Sequence, residues 1–223
     1  MQRMPEIEYF YSAHSAYAYL GSARFMAIAR AAGRTIRHRP IDLGRVLPAC
    51  GATPFRDRTR AHYAYFFRRE IDRWAEERNA PVMAGRPTHH DNDTTLCNGM
   101  LIAAIARGHN VDRLAHVMLE SHWRDDSDLA DRETLVELGK RAGLDPVPLL
   151  DAALSDAVQT IYAANNREAI ERSVFGSPTY FVDGDMFYGQ DRLEMVERPA
   201  QTLRSLATRP RAGRQPPLSQ TAV

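Results

Sequence analysis

The chain has 223 residues, with 29 lysine and arginine side chains against 28 aspartate and glutamate side chains and a formal net charge of +1. This balance gives no support to nucleic-acid binding, because a phosphate-binding surface needs a concentrated basic face. No run of about 18 apolar residues is present, which excludes a helix that crosses a membrane. The N-terminal residues lack an apolar stretch of the secretory type, and only Cys50 and Cys97 carry thiols. We therefore expect a cytoplasmic protein with no membrane partner.

The first predicted elements have the order strand, helix, strand. Residues 7–11 are aromatic and β-branched and predict a strand, and a helix from about Ser15 to Ala32 follows with apolar side chains at helical spacing. Gly33 is suited to the end of that helix. Residues 35–41 predict a second strand, so the chain begins as an α/β sheet.

The middle of the chain is helical. From about residue 57 to residue 172 the pattern predicts six helices and almost no strand. One of these helices begins at Asp145-Pro146, because proline suits the first helical position. Another carries an aromatic row from Tyr63 to Trp74, which is typical of a core or a subunit interface.

The segment 174–192 is the most informative one in the chain. Ser177-Pro178 is a place where a cis peptide bond is expected, since X-Pro bonds have the weakest preference for trans. Asp183-Gly184 between two apolar runs predicts a hairpin, because glycine readily supplies the positive φ that the turn needs. A final helix then begins at Asp191, and Pro199 is expected to kink or interrupt it.

Together these elements predict an α/β, thioredoxin-like fold with a large all-helical insertion domain. The thioredoxin-like domain is split between residues 1–44 and 173–207, and the insertion domain comprises residues 45–172. Residues 208–223 hold three prolines and three arginines with little apolar content, and this composition predicts a disordered tail.

Two segments carry a resemblance to a known family. Residues 8–20 (EYFYSAHSAYAYL) and residues 174–192, which end in Gly-Gln-Asp-Arg, resemble the 2-hydroxychromene-2-carboxylate isomerases. These enzymes are grouped with the kappa-class glutathione transferases and, more distantly, with the DsbA-like oxidoreductases. The similarity in pattern extends over roughly residues 6–205. It implies a glutathione-dependent cis-trans isomerase that acts on a small aromatic substrate and forms a homodimer.

The resemblance also implies a catalytic serine. In the family a serine hydroxyl lies against the glutathione thiol, and alignment without gaps places that serine at Ser15. Ser12 is the alternative, because Ser12-Ala13-His14-Ser15 has the spacing of a Cys-Pro-His-Cys motif. No cysteine occurs in either register, which excludes thiol-disulfide exchange at this turn. Serine is also a preferred helix N-cap, so Ser15 suits a purely structural role as well.

Further positions are implied for the binding of glutathione. The backbone of Ser177, held by Pro178, would contact the cysteinyl part in the manner of an added strand. Gln190 and Asp191, at the start of the last helix, would contact the γ-glutamyl part, although Asp191 is equally suited to capping that helix.

The chain departs from the family pattern near this site. Ala16 stands where the family has proline, and residues 51–64 contain neither the lysine nor the asparagine that help to hold glutathione. The candidate replacements are Thr53, Arg58 and Arg60. A kappa-like glutathione transferase and a non-catalytic thioredoxin-fold binding module are therefore the alternative functions.

Two histidine-containing segments are candidates for ligand or metal binding. His14 is expected to be an exposed turn residue, with the binding of a substrate carboxylate as the alternative. The run from His89 to Asp91 has the side-chain types of metal ligands, but adjacent residues do not readily converge on one ion, so no metal site is predicted.

Overall fold

The computed structural model describes residues 5–53 and 57–201. These ranges contain four strands, β1 (Glu6–Tyr11), β2 (Thr35–Pro40), β3 (Thr179–Val182) and β4 (Asp185–Tyr188). Their ten α-helices are α1 (Ala16–Ala31), α2 (Leu43–Ala49), α3 (Arg60–Ala64), α4 (Glu70–Arg78), α5 (Thr95–Ala106), α6 (Asp112–Asp125), α7 (Arg132–Arg141), α8 (Pro146–Ala153), α9 (Asp156–Glu171) and α10 (Leu193–Gln201). A π-helical turn (Tyr65–Arg69) joins α3 to α4, and a 3-10 turn (Gln190–Arg192) precedes α10.

The strands form one mixed sheet in the order β2-β1-β3-β4. β1 pairs in parallel with β2 and antiparallel with β3, which in turn pairs antiparallel with β4. At the turn between β3 and β4, Asp183 and Gly184 have positive φ values of 51° and 86°. A two-residue hairpin turn of the primed type requires this backbone. The predicted strand-helix-strand beginning and the predicted hairpin are confirmed.

The two central strands of the sheet, β1 and β3, are covered on both faces. On one face, under α1 and α10, the ring of Tyr9 stacks on Tyr11 and on Tyr180 with centroid distances of 4.1 Å and 5.4 Å. On the other face, Phe10 and Phe181 pack with side chains of α2 and α9. A strand segment that is covered on both sides is apolar at successive positions, which explains the run Tyr9-Phe10-Tyr11 in β1.

The helices α2 to α9 lie between β2 and β3 in the chain, and the described part of residues 57–172 contains no strand. One cluster of buried side chains includes Tyr11 of β1, Phe25 of α1, Met100 of α5 and Leu114 of α6. Residues 57–172, called the helical segment below, therefore share a core with the sheet. The exact division of the chain into two domains stays a prediction, and the predicted tail lies outside the described residues.

Two helices differ from the expectation. α2 was not predicted, because it has only seven residues and contains Pro48. α10 includes Pro199 and continues to Gln201, so the proline does not end the helix there. Two residues, Ala200 and Gln201, follow it within the described helix, and the missing N–H removes one intrahelical hydrogen bond from this last described turn. No helix in the described ranges combines the length and the apolar character that a membrane span requires.

Gly99 allows a close approach of α5 to α8. A Cβ atom at this position would lie 2.4 Å from the carbonyl oxygen of Ala153, so the substitution Gly99→Ala should force the helices apart. We expect the free energy of unfolding, measured in urea, to fall by about 1–3 kcal/mol. Ala106→Ser, at an exposed position of the same helix, should change it by less than about 0.5 kcal/mol. Equal losses in the two variants would contradict this packing argument.

Candidate active site

A pocket of about 500 Å³ opens between the turn that precedes α1, the loop that precedes β3 and the helical segment. This volume is typical of small-molecule sites, which range from about 300 to 1,000 Å³. The residues that line it and enter the argument below are His14, Ser15, Tyr17, Cys50, Arg58, Phe66, Phe67, His90, Trp123, Ser177 and Tyr188.

Ser15 combines a structural role with a position on the pocket wall. It is the N-cap of α1 and is 6% exposed. Its Oγ accepts a hydrogen bond from the N–H of Ala18 and donates one to the carbonyl oxygen of Ser177, each at 3.3 Å. Both bonds are long, so the hydroxyl proton can be redirected to a ligand at low cost. The N-terminus of α1 adds a positive field at the same point.

Ser12 has a different environment. It is completely buried and does not line the pocket. Its Oγ lies 2.9 Å from Nδ1 of His14 and accepts a hydrogen bond from Nδ2 of Asn98 at 3.3 Å. Its N–H donates to Oγ of Ser177 at 3.4 Å. Ser12 therefore holds the turn in place from inside the protein.

The peptide bond between Ser177 and Pro178 is cis, as the sequence predicted. Pro178 is buried, and its carbonyl oxygen accepts a hydrogen bond from the N–H of Gly189 at 2.9 Å. Ser177 is half-buried on the pocket wall, and no backbone hydrogen bond among the described residues uses its N–H. An open N–H next to a carbonyl group is the arrangement to which an extended peptide can pair.

Gln190 and Asp191 do not line the pocket. Gln190 is buried, its Oε1 accepts a hydrogen bond from Nε of Arg78 at 3.1 Å, and its Nε2 has no partner within the described ranges. Asp191 is exposed and forms an ion pair with Arg192. Burial raises the pKa values of Tyr17 and Tyr188, and the nearby carboxylate of Asp191 raises them further.

Of the three candidate replacements for the family's lysine and asparagine, only Arg58 lines the pocket. Its Nε donates to the carbonyl oxygen of Thr53 at 3.2 Å, and its guanidinium group lies 5.4 Å from the ring centroid of Phe67. Thr53 and Arg60 are exposed and lie off the pocket. An arginine in this position can bind a carboxylate.

Three histidines from distant parts of the chain meet beside the pocket. The ring centroids of His14 and His90 are 4.9 Å apart, and Nδ1 of His90 lies 2.9 Å from Nε2 of His122. The expectation that His14 is exposed is wrong, because His90 and Trp123 pack against the turn and leave it half-buried. Nε1 of Trp123 donates to the carbonyl oxygen of His14 at 2.8 Å.

Burial lowers the pKa of all three histidines. Together with repulsion from the neighbouring imidazole rings and from Arg86, it lowers the pKa of His14 to about 4 and that of His90 to about 2. Burial also lowers the pKa of His122. At neutral pH each ring is therefore neutral, with one nitrogen that donates and one that accepts. Among the described residues no group of three or more potential ligands is arranged to hold a metal ion.

The helical segment supplies the apolar wall of the pocket. The π-helical turn places Phe66 and Phe67 there, and the hydroxyl of Tyr17 donates to the carbonyl oxygen of Phe66. Tyr65 and Phe66 are 49% and 45% exposed, so this part of the aromatic row is not core. Cys50 also lines the pocket, and burial raises the pKa of its thiol.

The thioredoxin-like fold and the serine-containing turn indicate a DsbA-like protein, and the comparisons with known proteins agree. The family model of the DSBA-like thioredoxin domain matches residues 6–200, so the chain is a member of the DsbA-like thioredoxin family. A 2-hydroxychromene-2-carboxylate isomerase from Pseudomonas sp. (strain C18) is 30% identical over 193 residues, which cover 86% of this chain and 88% of that enzyme. Within the DsbA-like proteins, the chain belongs to the 2-hydroxychromene-2-carboxylate isomerase family.

Solved structures are consistent with this assignment. A structure of a 2-hydroxychromene-2-carboxylate isomerase matches with a TM-score of 0.70 at 25% identity, over 86% of this chain and 93% of that one. A cytosolic disulfide reductase from Pseudomonas aeruginosa matches with a TM-score of 0.60 at 18% identity, over 87% and 93% of the two chains, which shows a likeness of fold. The predicted family, the predicted fold class and the prediction of an isomerase-family enzyme are confirmed.

The sequence did not reveal every residue of the pocket. The family resemblance implies Ser15, Ser177 and Arg58, and the structure brings them to one cavity. His90 was considered only as a metal ligand, and Trp123 was not assigned to the site. Both come from the helical segment, where no local pattern indicates which side chains face a pocket.

The lowered histidine pKa values predict a loss of stability in mild acid. Between about pH 6.5 and the folded-state value of about 4, His14 binds fewer protons in the folded protein than in the unfolded chain. The free energy of unfolding should therefore fall as the pH drops through this window, by up to about 1.4 kcal/mol per pH unit for such a group. The pKa of Asp91 is also lowered, but this carboxyl group changes the free energy of unfolding only below its ordinary pKa of 3.8, which lies outside this pH window.

Urea unfolding at several pH values between 7.5 and 5 measures this slope. His14→Gln should remove the part of the slope that His14 contributes. Equal slopes in the variant and the original protein would contradict the lowered pKa.

Proposed function

We propose that this protein is a cytoplasmic, glutathione-dependent isomerase of the 2-hydroxychromene-2-carboxylate type that acts on a small aromatic substrate. The observation that carries the proposal is the position of Ser15. Its hydroxyl lies on the pocket wall at the N-terminus of α1, beside the open N–H of Ser177. Membership of the isomerase family supplies the class of reaction.

The residues present fit glutathione. Ser177, fixed by the buried Pro178, offers an N–H to the cysteinyl part. Asp191, which is exposed and paired with Arg192, would offer its carboxylate to the ammonium group of the γ-glutamyl part, whereas Gln190 is buried and would support this turn from inside the protein. Arg58 offers a guanidinium group to a carboxylate, in the region where the family has lysine and asparagine.

Ser15 would hold the thiol of bound glutathione in its anionic form. A free thiol has a pKa near 8.5, so little thiolate exists at neutral pH. Lowering this pKa by about two units requires roughly 2.7 kcal/mol. A hydrogen bond to a charged group contributes about 1.5–3 kcal/mol, and a helix N-terminus adds roughly 0.3–1 kcal/mol. A single hydroxyl group at the start of α1 can therefore supply the free energy that this pKa shift requires.

Bound glutathione supplies a thiolate that can add reversibly to a conjugated double bond of the substrate, so that the bond can rotate before elimination. The chain's own residues bind and orient the reactants. Phe66, Phe67 and Trp123 form an apolar wall that fits an aromatic ring. A bound aromatic ring packed against this wall would displace water from the reacting atoms, which would strengthen the hydrogen bond that Ser15 provides.

Removing the hydroxyl tests the proposal. The original protein should convert the chromene substrate only when glutathione is present. Ser15→Ala should lower the ultraviolet thiolate absorbance at neutral pH and lower kcat/KM by about 10–100-fold, since about 1.5–3 kcal/mol is lost. Ser15→Thr, which keeps a hydroxyl, should retain both signals, and Ser12→Ala should keep the thiolate absorbance.

Several outcomes would decide against parts of this proposal. No binding at millimolar glutathione would overturn both the isomerase and the transferase alternatives and leave a non-catalytic binding module. A released glutathione conjugate in place of the free isomer would identify a kappa-like transferase. Loss of the thiolate signal in Ser12→Ala, with no loss in Ser15→Ala, would move the catalytic role to Ser12.

We also propose that the protein is a homodimer, as the family resemblance implies. The exposed aromatic side chains Tyr65 and Phe66 support an interface at the π-helical turn. Light scattering should give about twice the chain mass of 25.2 kDa. Tyr65→Ser should shift the equilibrium toward the monomer, whereas Ile105→Ser, at an exposed position of α5, should not. A monomer in the unchanged protein would contradict this proposal.

A further inference from the structure

The hydrogen-bonding state of His90 follows from its neighbours. Nδ1 of His122 lies 2.9 Å from the carbonyl oxygen of Ser127, which can only accept, so this nitrogen carries the proton. Nε2 of the neutral His122 ring is then an acceptor. Nδ1 of His90, which lies 2.9 Å from it, must donate. The remaining nitrogen of His90, Nε2, is therefore an acceptor.

A second chain of hydrogen bonds determines the state of His14. The N–H of Ala13 donates to Oδ1 of Asn98 at 3.1 Å and so orients the amide, whose Nδ2 donates to Oγ of Ser12 at 3.3 Å. The buried Ser12 hydroxyl then has Nδ1 of His14, at 2.9 Å, as the acceptor for its own proton. Nε2 of the neutral His14 ring therefore carries a proton and is a donor.

Both Nε2 atoms remain for a ligand. His14 and His90 line the same pocket with their ring centroids 4.9 Å apart, and no hydrogen bond among the described residues engages either Nε2 atom. The charged groups nearest to the pair, Arg86 and Asp91, are hydrogen-bonded to each other. The lowered pKa values of the two histidines keep both rings neutral at ordinary pH, so that the donor and the acceptor keep their identities.

We propose that His14 and His90 form a neutral donor–acceptor pair that recognises two oxygen atoms of the substrate. Nε2–H of His14 donates to a carbonyl or carboxylate oxygen, and Nε2 of His90 accepts from a hydroxyl group. This inference rests on the proposed function, in which the substrate class is an aromatic hydroxy acid. Ser12, Asn98 and His122 are positioning residues, because they fix which ring nitrogen carries a proton.

The pair has a direct consequence for specificity. His90 is half-buried on the pocket wall, and a bound ligand would cut its Nε2 off from water. An acceptor covered in this way without a partner is penalised, so a site that binds a substrate hydroxyl rejects the analogue that lacks it. An aromatic acid with an ortho hydroxyl should therefore bind about 5- to 100-fold more tightly than the same acid without it. A ligand that lacks the carboxylate should bind weakly in either case.

Binding of trans-2-hydroxycinnamate and of trans-cinnamate, followed by tryptophan fluorescence, tests the pair. The original protein should prefer the hydroxylated acid by the factor above, and the preference should stay constant between pH 8 and pH 6. His90→Phe should reduce the preference to about one while retaining the affinity for cinnamate. His14→Phe should weaken both acids and retain the preference. His116→Gln, whose ring contacts Ser22 and not the pocket, should change neither constant.

Ser12→Ala tests the positioning role separately. It should weaken the binding of both acids, because His14 loses the donor that fixes its proton on Nε2, and it should not change the thiolate absorbance of bound glutathione. If His90→Phe does not fold, His90→Ala removes the same acceptor without added bulk and should give the same loss of preference.

The outcomes separate this inference from the proposed function. An equal affinity for the two acids in the original protein, or a preference that survives in His90→Phe and His90→Ala, would overturn the pair even if the chromene substrate is isomerised. A preference that depends on His90, found in a protein that forms no glutathione thiolate, would support the pair and overturn the glutathione chemistry.

Discussion

The geometry of the pocket depends on one buried amide, that of Asn98. Its Oδ1 accepts from the N–H of Ala13. Its Nδ2, with two hydrogens, lies within hydrogen-bond distance of three acceptors: the hydroxyl of Tyr162 at 2.9 Å, Oγ of Ser12 at 3.3 Å and the carbonyl oxygen of Ile41 at 3.4 Å. These contacts connect the turn before α1 with α5, α9 and the end of β2. A buried polar group without its partner costs about 1–3 kcal/mol, so the amide favours one position of the turn relative to the helical segment. In that position, the turn before α1, the loop before β3 and the helical segment line a common cavity.

The part of the site that belongs to the sheet was predictable from the sequence. Ser15 and Ser177 are far apart in the chain, and they meet because β1 and β3 are neighbours in the sheet. The structural signals are local: a serine before a helix, a proline before a short strand, and Asp183-Gly184 between apolar runs. The family resemblance then implies the roles of the two serines in the site. Local signals of this kind depend on backbone conformation that a few residues dictate, and so they survive without knowledge of the tertiary structure.

The contribution of the helical segment was not predictable in the same way. Phe66 reaches the pocket from a π-helical turn, in which the side chains are displaced from their α-helical positions, so that helical periodicity does not indicate its direction. His90 lies in a connection between helices, and its character as an acceptor depends on His122 and, through it, on the carbonyl group of Ser127. The acceptor character of His90 therefore depends on three residues together. No spacing in the sequence encodes it.

Cys50 shows how the pocket treats two thiols differently. The substrate proposed here opens to a conjugated carbonyl compound, and such compounds alkylate thiolates. One of the two cysteines of the chain lies in the wall of the same cavity, but burial raises its pKa, so its sulfur stays protonated and is a poor nucleophile. The Ser15 hydroxyl would stabilise the thiolate of glutathione, whereas the surroundings of Cys50 favour its protonated thiol. Two microenvironments within one cavity would therefore favour addition of the glutathione sulfur to the substrate over alkylation of Cys50.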